Sequence, residues 1–132
     1  MDLSAFFAGA DLIHVYTRAQ ALADGLLIDV TQTAREAGFK VPVAITAAVW
    51  ADCVAWDMEH EVCPQDETGR LWDVLCMAAF AARSRPDADR IGFGVLRVRC
   101  GRLRPDLVRL VLVVGPGDAG EPVMTIMLPG ED

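Results

Sequence analysis

The sequence is short of positive charge. Twelve Lys and Arg stand against 19 Asp and Glu, a formal net charge of -7 with a pI near 4.7. A field of that sign repels phosphate backbones, so direct nucleic-acid binding is not expected and a basic partner is favoured. No apolar run approaches the roughly twenty residues needed to span a bilayer. The opening "MDLSAFFAGADL" has an acidic second residue and no basic start before its short apolar stretch, unlike a signal peptide. A cytoplasmic protein with no membrane span is therefore expected. Repeats, linkers and low-complexity segments are also missing, which leaves 132 residues near the usual size of one domain. With 53% hydrophobic and 23% charged residues, positions 1–132 read as a single globular domain with a substantial core.

Side chains suited to catalysis are sparse. There are two His residues, one Tyr and four Cys. Cys53, Cys63, Cys76 and Cys100 fall at irregular spacings, which in a reducing compartment reads as buried or free thiols rather than a disulfide framework. "MEHEVC" offers Glu59, His60, Glu61 and Cys63, yet no second cluster follows to complete a tetrahedral metal site, so the segment reads as a polar helix end. A His60/Cys63 nucleophile is disfavoured because Glu59 and Glu61 would raise the thiol pKa. No Gly-x-Ser-x-Gly turn is present. "GPGDAGEP" is Gly-rich but lacks the Lys and Ser/Thr of a phosphate-binding loop. It reads as a turn between strands, with Asp118 and Glu121 at an acidic tip.

The elements follow from capping and periodicity. Thr17 can cap a short helix through Asp24, ended by Gly25, and "LLIDV" has the length and branching of a short strand. Thr31 or Thr33 can cap a second brief helix stopped at Gly38. Thr46 is a candidate N-cap, and Val49, Trp50, Cys53 and Val54 recur at helical spacing, predicting a helix from about Thr46 to about His60. Asp66 can cap a further helix carrying Leu71, Trp72, Val74, Leu75, Ala78 and Ala79, which runs to about Ser84. Trp50 and Trp72 fall on the expected core stripes, whereas Trp56 has no clear place. "IGFGVLRVR", "LVRLVLVV" and "VMTIML" read as strands. The expected fold is α+β, an antiparallel sheet of three to four strands packed against two long helices, with short N-terminal helices. Arg90, Arg97, Arg99, Arg102, Arg104 and Arg109 crowd the strand region, and a period of two predicts them as strand residues facing water.

"IHVYT…LADGLL" resembles the start of some ADP-ribosyltransferases, in which a His on the first strand binds the NAD ribose. That resemblance implies a ribose contact for His14, with Tyr16 or Thr17 beside it and Glu121 as the late carboxylate. It also implies a second aromatic on a later strand, although Tyr16 is the only tyrosine. More broadly, "DLIHVYTRAQALADGLLIDVTQTAREAGFKVPVAITAAVWADCVAW", "DETGRLWDVL" and "GPGDAGEPVMTIMLPGED" resemble a family of short, functionally uncharacterised bacterial proteins encoded on plasmids, integrative elements and phages. This implies a mobile-element accessory protein, one that could oppose host defence, with no established reaction.

The favoured expectation is a non-enzymatic binding protein that meets a host or element-encoded protein. Asp66, Glu67, Arg70, Asp118 and Glu121 are its exposed contact residues, and no cofactor or metal is expected. The contrasting readings are an NAD-using transferase built on His14, Tyr16 and Glu121, and a structural homodimer joined through an exposed sheet edge.

Overall fold

In a computed structural model of the chain, residues 16–56, 66–99 and 101–131 are described. The first elements follow their capping signals. Helix α1 (Arg18–Ala23) starts with a capping box: the Thr17 hydroxyl accepts from Gln20 N–H, and the Gln20 side chain accepts from Thr17 N–H. Gly25, at φ 77, lets the chain reverse into β1 (Leu27–Asp29). Helix α2 (Thr31–Glu36) follows at once. Its N-cap is Val30, so Thr31 is the first helical residue rather than the cap.

The long helix expected over residues 46–60 forms in shortened and altered shape. Strand β2 (Val43–Thr46), buried along its whole length, occupies the segment before it. Thr46 does cap, accepting from Val49 N–H, but α3 (Ala47–Val49) makes a single turn. It widens into a π-helical turn at Trp50–Val54, and Ala55 turns extended at ψ 137. The freed carbonyls explain the stop. Asp52 O accepts from Arg97 Nε at 3.3 Å and Val54 O from Arg70 Nε at 3.0 Å, so side chains take the place of further backbone N–H groups. The periodicity identified the buried stripe correctly, since Val49, Cys53 and Val54 are buried, but not its length. The one long helix among the described residues is α4 (Glu67–Ser84), where Asp66 Oδ1 accepts from Gly69 N–H at 2.6 Å.

Strands β3 (Arg90–Val98), β4 (Pro105–Pro116) and β5 (Pro122–Met127) form the antiparallel meander the alternation predicts. Yet the sheet has five strands in the order β1-β2-β5-β4-β3, and β2 runs parallel to β5, which corrects the expected all-antiparallel sheet of three to four. Ile28, Ile45, Ile126, Leu112 and Ile91 are register partners across all five strands. They form one row on the face covered by α2, α3 and α4, and Leu75, Val74, Ala78 and Ala34 close over it. The row one residue along, Asp29, Ala44, Thr125, Val113 and Arg90, lies on the opposite face.

That phase reassigns the arginines. Arg97 shares the core face with Ile91, Phe93 and Val95 and is buried, against the expectation of a solvent-facing strand residue. Its charge is met by Asp52 and Asp106. Arg90 and Arg109 lie on the other face, and Arg99 pairs with Asp106 at 3.3 Å, so the cluster does not form one patch. Trp72 is 38% exposed, against the core position the helical stripe predicted for it, and Trp56, which had no clear place, is buried.

Candidate functional site

Asp29, Thr31, Arg35, Asp118 and Glu121 meet Arg18 around a cleft of about 510 Å³ on the sheet face opposite α4. The β4–β5 turn supplies Asp118 and Glu121, the end of β1 supplies Asp29, and α1 and α2 supply the two arginines. Ala44 and Val123 complete a small apolar floor.

Each charged group is held by the backbone around it. Asp118 spans a hundred residues of sequence to reach α1, where its two oxygens accept from Arg18 N–H at 2.9 Å and Ala19 N–H at 3.0 Å. The Arg18 guanidinium lies on the sheet, donating to Thr125 Oγ1 at 2.8 Å and Met124 O at 2.9 Å. Burial pulls its pKa below the ordinary value, and the Asp29, Asp118 and Glu121 charges act in the opposite sense. Asp29 Oδ1 accepts from the Thr31 hydroxyl at 2.5 Å and Thr31 N–H at 3.0 Å. These bonds, then the charges of Arg18 and Arg35, hold the Asp29 carboxyl below the usual range. Glu121 Oε1 accepts from Ala119 N–H at 3.0 Å, and Gly117 N–H closes the turn onto Glu121 O. A Cβ on Gly117 would fall 2.5 Å from the Glu121 carboxylate, so the glycine gives that side chain its place.

Three carboxylates, set against the Arg18 and Arg35 guanidinium groups, thus gather hydrogen-bond acceptors around one cleft. Among the described residues, no group of three or more His, Cys, Asp or Glu is arranged to hold a metal ion.

The remaining expected site residues divide. Asp66 and Glu67 are exposed but occupied at the start of α4, Asp66 as its cap and Glu67 as acceptor for Trp56 N–H at 3.2 Å. Arg70 is buried rather than exposed: it donates to Val54 O and Val98 O, and its guanidinium stacks 4.8 Å from the Trp56 ring centroid. Tyr16 is exposed and donates to Asp24, which raises its pKa, and it does not line the cleft. His14 and the Glu59/His60/Glu61/Cys63 group lie outside the described residues. Cys53 is buried, and desolvation, with the Asp52 charge adding, pushes its thiol up to about 11. Such a group is a packing residue rather than a nucleophile at neutral pH.

Of the residues around this cleft, sequence reasoning singled out Asp118 and Glu121 but not Arg18, Asp29 or Arg35. The contact between residues 18 and 118 has no local signature. A signal for Asp29 was present, since an Asp two residues before Thr at a helix start is an Asx-type turn.

These features define a class: an α+β domain with a mixed sheet, helices over one face and a carboxylate-rich cleft on the other. The chain belongs to a family of unknown function (DUF6573), whose model matches residues 3–132. No curated protein and no solved structure matches it. Among the described residues, no helix is long and apolar enough to cross a membrane.

Proposed function

We infer that this protein is a non-enzymatic binding protein that holds a basic segment of a host or element-encoded protein, with Asp118, Glu121 and Asp29 receiving an arginine or lysine of that partner. One observation carries the reading: three carboxylates from two distant parts of the chain surround a single cleft, in a protein of net charge -7. The global charge would steer a basic partner in, and the fixed carboxylates would set its register. A mobile-element setting with a counter-defence role is the biological frame that the resemblance to plasmid- and phage-encoded proteins suggests.

A photo-crosslinking residue at Gln32, which lines the cleft, tests this in cells against the same residue at Asp73. The expected result is one discrete adduct at Gln32 that disappears in the Asp118→Asn/Glu121→Gln variant. Identical adducts at both positions would contradict it. Titration with NAD addresses the transferase reading, which would take over if saturable binding were lost in His14→Ala.

A further inference from the structure

Lys40, Arg83 and Arg85 surround a second cleft, separate from the carboxylate site. It measures about 590 Å³ and lies between the loop after α2 and the loop after α4. Its floor is apolar: Phe39, Ile91, Leu112 and Met124 come from the core face of the sheet and the turn beside it, and Ala79 and Ala82 form the helix wall. Arg83 Nη1 reaches over the α2–β2 turn, 3.8 Å from where a Cβ on Gly38 would stand.

The cations are what set this cleft apart. Among the described residues, none of the three side chains is in an ion pair or side-chain hydrogen bond, although Asp87 and Asp89 line the same cleft. Three cations against two carboxylates make the rim net positive on a chain that is net negative. Small-molecule sites typically pair a volume of roughly 300–1,000 Å³ and an apolar lining with a few polar groups that fix orientation. This cleft has each of these.

The geometry points to a binding site for a small apolar molecule bearing one carboxylate, its body on the part-exposed Val41, Ala82, Val114 and Met124 above the buried Phe39, Ile91 and Leu112, and its carboxylate held by Arg83, with Lys40 and Arg85 alongside. The guanidinium fork matches a carboxylate bidentately. Asp87 and Asp89 oppose a second negative charge, so a monoanion fits better than a dianion.

Calorimetric titration of the full chain with decanoate, decanol and decyltrimethylammonium, each below its micelle concentration, tests the proposal. Decanoate is expected to saturate one site, with the cationic probe at least about tenfold weaker. Lys40→Glu/Arg83→Glu is expected to invert that order with thermal melting unchanged, because both side chains are exposed. Ala82→Phe, which fills the helix wall, is expected to abolish decanoate binding; if that variant does not melt cooperatively, the charge-reversal arm decides. The proposal is overturned if decanoate does not bind, if anion and cation bind alike, or if charge reversal leaves decanoate affinity intact. Binding to phosphatidylglycerol vesicles without binding of free decanoate would also overturn it, and would mark the cleft as a membrane contact.

Discussion

Arg97 and Asp52 lie 45 residues apart in sequence, yet the buried guanidinium places Nη2 2.9 Å and Nε 3.2 Å from Asp52 Oδ1. Asp106 completes the site from the neighbouring strand. The pair is asymmetric, because the carboxylates are 36% and 51% exposed while the arginine side chain is 6% exposed. Removing the acids would strand a buried cation, whereas removing the cation leaves carboxylates that water can reach. Asp52→Asn/Asp106→Asn should therefore cost about 2–3 kcal/mol, less than breaking a fully buried pair because the acids are partly solvated. Arg97→Met should cost below about 1.5 kcal/mol. Urea denaturation of the two variants checks the order, and a larger loss for Arg97→Met would contradict it.

The tryptophans give a second stability test. Trp56 is buried under Arg70, and its Nε1 has no hydrogen-bond partner among the described residues. Trp56→Ala should cost about 3–5 kcal/mol. Trp56→Phe keeps a ring against the guanidinium and removes the unpaired donor, so it should lose much less. Trp72→Ala, at an exposed position that covers only part of the ring, should cost about 1–2 kcal/mol. Thermal melts that ranked Trp72→Ala as the worst of the three would show this packing to be wrong.

The sequence revealed what neighbouring residues decide. Thr17, Thr46 and Asp66 cap where their side chains predict, and the alternation in β3 and the apolar run of β4 place those strands. Long-range contacts decided the rest. Nothing near Val54 signals that its carbonyl ends on Arg70, so the helix after Thr46 looked longer than it is. Val43–Thr46 is too short to distinguish from the lead-in to a helix, and its parallel partner β5 lies some eighty residues on. Alternation in β3 leaves Arg90 facing water but carries Arg97 onto the core face, and what lets a charge lie there is Asp52, reaching in from another element. In the cleft, the acidic turn was visible as composition, and its counterpart on α1 only in three dimensions.

Asp29 makes the stability of this region depend on pH. Its folded pKa lies below the ordinary value, so its contribution is present above the ordinary carboxylate range and lost as pH falls through the folded value. Asp29→Asn should be less stable than the parent at pH 7, and the gap should close at an acid pH below the folded value, as the parent carboxyl takes up its proton. Chemical denaturation at both pH values measures this. A gap that stayed constant or widened in acid would show that ionised Asp29 is not what Thr31 stabilises.

Gly117 controls Glu121 through space rather than through a left-handed backbone: its φ is not positive, and the atoms nearest a Cβ there are those of the Glu121 carboxylate. Gly117→Ala should displace that exposed side chain and leave the melting temperature within a few degrees of the parent. Its effect on binding should match that of Glu121→Gln. A Gly117→Ala protein that binds like the parent would remove Glu121 from the site.

If the Asp118–Glu121–Asp29 cleft takes a basic side chain, as proposed, fluorescence anisotropy with a labelled hexa-arginine peptide at physiological salt will register it. The parent should bind saturably, and Asp118→Asn/Glu121→Gln should weaken binding about tenfold, roughly 1.4 kcal/mol. Asp66→Asn/Glu67→Gln removes the same formal charge outside the cleft and should stay within about twofold of the parent, since screening over a Debye length of roughly 8 Å leaves little long-range difference. Equal weakening by the two pairs would mean that the peptide reads only net charge, and the cleft would lose its assignment as the site.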